Sequence, residues 1–154
     1  MSSTSKNKLN VPRKNGDSLT TSYGDSSAGW ASQGVRCVTF DQLTFELFLT
    51  KGSATKLYLT LHTAEEDSVA GGGWAKGYRA QPDGTMILDE YVIDLSSLGA
   101  TERISFSANT KGASVVRLSA KVDSITGSPT MTVSAFVHNE EKAVVLDSSV
   151  LVAA

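Results

Sequence analysis

With 154 residues, 40% of them hydrophobic, and a formal net charge of -2, the chain has the size of one domain with a single core. It lacks the clustered Lys and Arg surplus expected of a nucleic-acid-binding domain. Cys37 is the only cysteine, which excludes an intrachain disulfide, and the longest apolar runs fall far short of the roughly 20 residues that a membrane-crossing helix needs.

Residues 1–34 are mostly Ser, Thr, Asn, Gly, Lys and Asp, with Lys6, Lys8, Arg13 and Lys14 preceding the first acid at Asp17. The opening Met1-Ser2-Ser3-Thr4-Ser5-Lys6 lacks the apolar run of a secretory signal, so synthesis in a cytoplasm without export by that route is expected. Such a composition buries too little apolar surface to offset its ordering entropy. The expectation is therefore an extended, flexible N-terminal arm over 1–34. Its isolated apolar residues Leu9, Val11, Leu19, Tyr23 and Trp30 are spaced as anchors along a partner, or are plain punctuation in a tail. The basic stretch suits an acidic surface or, more simply, a solvated tail.

From residue 35 the pattern changes to period two. Leu43, Phe45, Leu47 and Leu49 alternate with polar residues, and Phe48 breaks the alternation. After the turn Lys51-Gly52-Ser53-Ala54, Leu57, Leu59 and Leu61 alternate with Tyr58, Thr60 and His62, the pattern of two half-buried strands joined by a short loop. Residues 64–84 interrupt, with the acidic run Glu65-Glu66-Asp67, Gly71-Gly72-Gly73, then Trp74, Tyr78 and Arg79. The turn Gln81-Pro82-Asp83-Gly84 follows, where Pro presets φ and Gly accepts a positive φ. Strand-like runs resume at Thr85 to Leu88, Tyr91 to Leu95, Arg103 to Ala108, Val115 to Val122, Thr130 to Val137 and Ala143 to Val152. No helix is indicated beyond one turn at Ser96-Ser97-Leu98-Gly99. The chain reads as an all-β protein, a single antiparallel β-sandwich of about eight strands over residues 35–154, of jelly-roll or Greek-key type.

Chemistry is sparse. Glu65-Glu66-Asp67 does not match the spacing of a calcium loop, and Gly71-Gly72-Gly73 is not followed by the helix of a phosphate cradle. Two histidines and one cysteine are a thin supply for a metal site, and no Gly-x-Ser-x-Gly is present. His62 falls on the face of its strand opposite the leucines, so it is expected on the solvent side, and Cys37, in Val35-Arg36-Cys37-Val38, is expected in the core. The expectation is a protein that is not an enzyme, with no catalytic residues, no metal and no cofactor. Trp74, Tyr78 and Arg79 form the most distinctive cluster, a composition enriched in protein interfaces and used to stack on sugars, or else a cap on the core.

The polar arm followed by a Ser/Thr/Gly-rich sandwich resembles accessory structural proteins of tailed-phage virions, head decoration or cement proteins in particular. The residues Gly112 to Ala120 followed by Thr126 to Ala135 resemble the closing hairpin of phage β-sandwich proteins, as do Gly77-Tyr78-Arg79 before Asp94-Leu95-Ser96. The resemblance implies a virion protein, made in the host cytoplasm, that binds the major capsid protein or another virion protein. It implies a homo-oligomer, dimer or trimer, with no membrane or nucleic-acid partner. The partner-binding residues would be Leu9, Val11, Leu19, Tyr23, Trp30, Trp74, Tyr78 and Arg79. The alternatives are a sugar- or receptor-binding module of a tail or fibre, or a neck or tail-completion protein.

Overall fold

A computed structural model describes residues 5–10, 13, 15–24, 28–37, 41–65 and 73–139; for 5–10 and 137–139 it describes the backbone pairing alone. Twelve strands occur among the described residues: β1 (Ser5–Asn10), β2 (Trp30–Ala31), β3 (Val35–Arg36), β4 (Gln42–Thr50), β5 (Lys56–Ala64), β6 (Ala75–Lys76), β7 (Tyr78–Ala80), β8 (Met86–Leu88), β9 (Glu90–Asp94), β10 (Thr101–Asn109), β11 (Val115–Val122) and β12 (Thr130–Asn139). The expected final strand from Ala143 to Val152 lies outside the described residues.

One sheet has the order β1-β12-β4-β10. The other centres on β11 and β5, with β2 and β3 along the far edge of β11, and β6 and β9 along the far edge of β5. Every pairing between these strands is antiparallel. β2 and β3 act as one interrupted strand. In the gap between them Ser32 N donates to Leu118 O at 2.8 Å, and Ser32 Oγ accepts from Leu118 N at 2.9 Å. With β6 and β9 likewise counted as one edge of β5, two four-membered sheets face each other, and the chain changes sheet at every step between them except from β5 to that edge. This is the jelly-roll order. The hairpin β7–β8 stands apart, closed by the expected turn, with Gly84 N donating to Gln81 O at 2.9 Å.

The resemblance reads β11 and β12 as a hairpin, and the structure corrects this; β4 and β5, joined by a short loop, do not pair with each other either. β4 pairs with β10 and β12, while β5 pairs with β11 and β9, so each short loop is an arch that carries the chain across the core. The arch from β4 turns at Gly52, whose φ is +56° and where a Cβ would lie 2.8 Å from Thr126 O in the neighbouring arch. Alternating residues from both sheets meet between them: Leu43, Phe45, Leu47, Leu49, Met131 and Ala135 from one, Leu57, Leu59, Val116, Leu118 and Ala120 from the other. Removing each large side chain from water contributes about 1.5–3 kcal/mol.

Over its described residues, the expected arm is corrected as well. β1 pairs with β12 in register from Ser5 opposite Asn139 to Asn10 opposite Ser134. Residues 17–19 continue that edge, with Leu19 N donating to Pro129 O and Met131 N to Asp17 O, each at 2.9 Å. Trp30 is 0% exposed and Leu19 3% exposed, both inside the core. The physical reason is long-range. A polar stretch with few apolar residues folds when it forms together with the sheet edge that accepts its backbone hydrogen bonds and the core that encloses its indole.

Candidate functional site

The structure disperses the residues that sequence reasoning gathered. The Leu9 backbone lies in β1 opposite Ala135, and Val11 lies outside the described residues. Leu19 and Trp30 are core residues, not partner anchors, and the Trp30 indole Nε1 donates to Met131 O at 2.8 Å. The seat of Trp30 depends on Gly24, where a Cβ would lie 2.4 Å from the Trp30 carbonyl carbon, so no side chain fits. Tyr23 is half-buried and its hydroxyl donates to Glu90 Oε2 at 2.5 Å; burial first, and the adjacent carboxylate second, hold its pKa well above that of an ordinary tyrosine.

Residues 20–24 and Trp74 lie over the outer face of the β11–β5 sheet. Ser119 Oγ donates to Gly24 O at 2.9 Å, the Lys121 ammonium sits 4.9 Å from the Tyr23 ring, and the Arg117 guanidinium sits 4.6 Å from the Trp74 ring. This cover corrects the expectation for His62. It is 2% exposed, and its Nδ1 accepts from Arg117 Nε at 3.0 Å. An acceptor at Nδ1 places the proton of the neutral imidazole on Nε2. Cys37 is buried as expected. Its thiol donates to Ala113 O at 3.0 Å, and burial pushes its pKa up to about 11, so thiolate chemistry at neutral pH is disfavoured.

Of the expected cluster, Trp74 is half-buried against Gly34 and Arg117. Tyr78 and Arg79 are exposed on the hairpin, and Arg79 Nε lies 3.9 Å from an Asp89 carboxylate oxygen. Trp74 and Tyr78 thus do not form one aromatic platform. Tyr78 instead borders a cleft of 450 Å³ at the end of the sandwich.

Among the described residues, nothing folds over the middle of the outer face of the β12–β4–β10 sheet, where Phe48 and Arg103 are exposed. Register places Thr130, Thr50 and Thr101 in one row, then Thr132, Phe48 and Arg103, then Ser134, Glu46 and Ser105, then Phe136, Thr44 and Ser107. Thr44 Oγ1 and Ser107 Oγ share a hydrogen bond at 2.8 Å, and Arg103 Nη1 donates to Glu46 Oε1 at 2.9 Å. The Arg103 guanidinium lies 5.1 Å from the centre of the Phe48 ring, and Phe48 is 46% exposed. An aromatic ring carrying an arginine thus sits among short uncharged polar side chains. Sequence reasoning did not single out Phe48, Arg103 or Glu46 for a site. The signal was present, because Phe48 is the one residue that breaks the alternation of its strand with an apolar side chain at an outward position.

No family model matches the chain, and neither does any curated protein. Among solved structures it is similar to the SPBc2 prophage-derived protein YomS, with 15% identity, a TM-score of 0.41 and coverage of 88% of this chain and 95% of the other. It is also similar to a carbohydrate-binding module specific for non-crystalline cellulose, CBM28, with 9% identity, a TM-score of 0.38 and coverage of 75% of each chain. Likenesses this distant carry no argument about what the chain does.

Proposed function

We propose that this protein is an accessory structural component of a tailed-phage particle, attached to the outside of the capsid through the open face of its four-stranded sheet. The observation that carries the reading is the composition of that face: Phe48 and Arg103 at its middle, Thr and Ser around them with Phe136 in the outermost row, and the single acid Glu46 of these rows already paired to Arg103. Aromatic and arginine side chains surrounded by uncharged polar groups are what protein interfaces concentrate at their energetic centres. Each contact is modest, and repetition around a symmetric shell multiplies it. Attachment through a folded face replaces attachment through a free arm, because the described part of residues 1–34 belongs to the sandwich. In this reading the capsid surface is the partner, and copies of the chain cluster as a dimer or trimer around its symmetry axes.

The test is co-sedimentation with particles of the parent virus prepared without this protein. The full chain should pellet with the particles at a fixed copy number. The Phe48→Asp variant, folded by circular dichroism, should stay in the supernatant. A native chain that fails to pellet ends the proposal, and so does a Phe48→Asp variant that pellets as well as the native chain.

A further inference from the structure

The cleft of 450 Å³ is formed where three pieces of chain converge at one end of the sandwich: the end of β5, the β6–β7 segment, and the turn that carries β10 into β11. Its volume lies within the range of sites that enclose small molecules. Leu61 and Ala113 supply an apolar part, Tyr78 a half-exposed ring, and Glu65, Asn109 and Lys111 polar groups.

The local structure fixes these polar groups before any ligand arrives. Asn109 Oδ1 accepts from Lys111 N at 2.6 Å, and this bond bridges a turn in which Lys111 takes a φ of +55°. Lys111 Nζ in turn pairs with Asp89 Oδ2 at 2.6 Å, tying the β10–β11 turn to the residue that follows β8. Glu65 Oε2 accepts from Ser114 Oγ at 2.9 Å. Asp89 also has its backbone N–H bonded to Gly77 O at 2.9 Å, next to Tyr78. The charges are therefore largely spoken for. Lys111 has a carboxylate partner, and Glu65 has a hydroxyl donor and retains acceptor capacity.

We infer that this cleft binds a neutral, polyhydroxylated ligand, one saccharide residue in extent, with Tyr78 as its apolar platform. The inference goes beyond the attachment proposed above and uses a different surface. The chemistry follows from the lining. A pyranose ring offers a C–H face that packs on an aromatic ring, and hydroxyls at its rim that need fixed amide and carboxylate partners. Asn109 and Glu65 supply those partners. A phosphate or other anion would meet Glu65 and find the nearest cation, Lys111, already held by Asp89. A wholly apolar ligand would strand the polar groups that face the cleft.

The test is a titration of the isotope-labelled full chain, followed by backbone amide NMR, with glucose, galactose, mannose, N-acetylglucosamine and, as the charged member, N-acetylneuraminic acid. At least one neutral sugar should shift the amides of Tyr78, Asn109, Lys111 and Gly112 in a saturable way. Tyr78→Ala should weaken that binding by about tenfold, the loss of one aromatic contact, while leaving the rest of the spectrum unchanged because Tyr78 is 52% exposed. Glu65→Gln, which keeps shape and removes charge, should weaken it less. Phe48→Asp, which abolishes the attachment proposed above, should bind the sugar as the native chain does, so the two proposals can fail separately. Absence of localised shifts with every neutral sugar overturns the inference. So does binding confined to N-acetylneuraminic acid, or sugar binding indifferent to Tyr78→Ala.

Discussion

Trp30→Phe removes one atom group of consequence. The indole N–H that donates to Met131 O at 2.8 Å is lost, and the wholly buried ring is replaced by a smaller one. Met131 lies in the part of β12 beyond the reach of β1, where residues 17–19 and the Trp30 indole complete the edge. Leaving a buried carbonyl without its donor costs about 1–3 kcal/mol. The void left by the smaller ring adds about 1 kcal/mol. The expected loss is about 2–4 kcal/mol, which for a domain of this size lowers Tm by roughly 5–15 °C. Urea unfolding followed by far-UV circular dichroism, with an unchanged slope against denaturant, measures the difference without relying on tryptophan emission. Tyr78→Ala, on the exposed hairpin, serves as a control expected within about 0.5 kcal/mol of the native chain. A Trp30→Phe variant as stable as that control would refute the reasoning, because an indole on a free arm would give that result.

Gly24→Ala should cost about 1–3 kcal/mol by forcing a methyl group into the Trp30 backbone, and thermal melting of the single variant checks it. Cys37 should react with a maleimide slowly in the native protein at pH 8 and at once in urea, since burial holds its pKa near 11 and leaves little thiolate; prompt native labelling contradicts its placement. Asp123 accepts from Thr55 N at 2.9 Å, Lys56 N at 3.1 Å and the Thr55 hydroxyl, and these bonds hold its pKa below the usual aspartate value. A depressed folded-state pKa stabilises the protein above the unfolded value of about 3.9, and that stability is lost as pH falls through the folded value. Asp123→Asn should therefore lower Tm by a few degrees at pH 7 and flatten its fall below pH 4; a melting profile parallel to the native one across that range would contradict the assignment.

The strands of the sandwich were legible because alternation is a local signal. Leu43 to Leu49 and Leu57 to Leu61 each announce a strand without reference to the rest of the chain. Which strands pair is not local, and proximity in sequence misled there, since β11 and β12, read as a hairpin, face each other across the core instead of lying side by side. The same limit explains Leu19 and Trp30. In their own neighbourhood they are isolated apolar residues, and only long-range contacts, Leu19 with Pro129 and Trp30 with Met131, show that they are core. His62 reads as outward-facing, and it does face outward from its sheet, but Trp74 and residues 20–24 fold over that face. The cleft escaped for a related reason. Asn109 and Lys111 read correctly as turn residues, and nothing in a turn signal reveals that Tyr78 and Glu65 lie across from it.

The account turns on the described part of residues 1–34 being part of the fold, and a chain comprising residues 35–154 alone tests this most directly. Without β1, the edge at 17–19 and Trp30, that chain should give a spectrum with poorly dispersed amide signals and no cooperative unfolding transition. A well-dispersed spectrum with a sharp transition near the Tm of the full chain would show that the sandwich closes without them and would contradict the account.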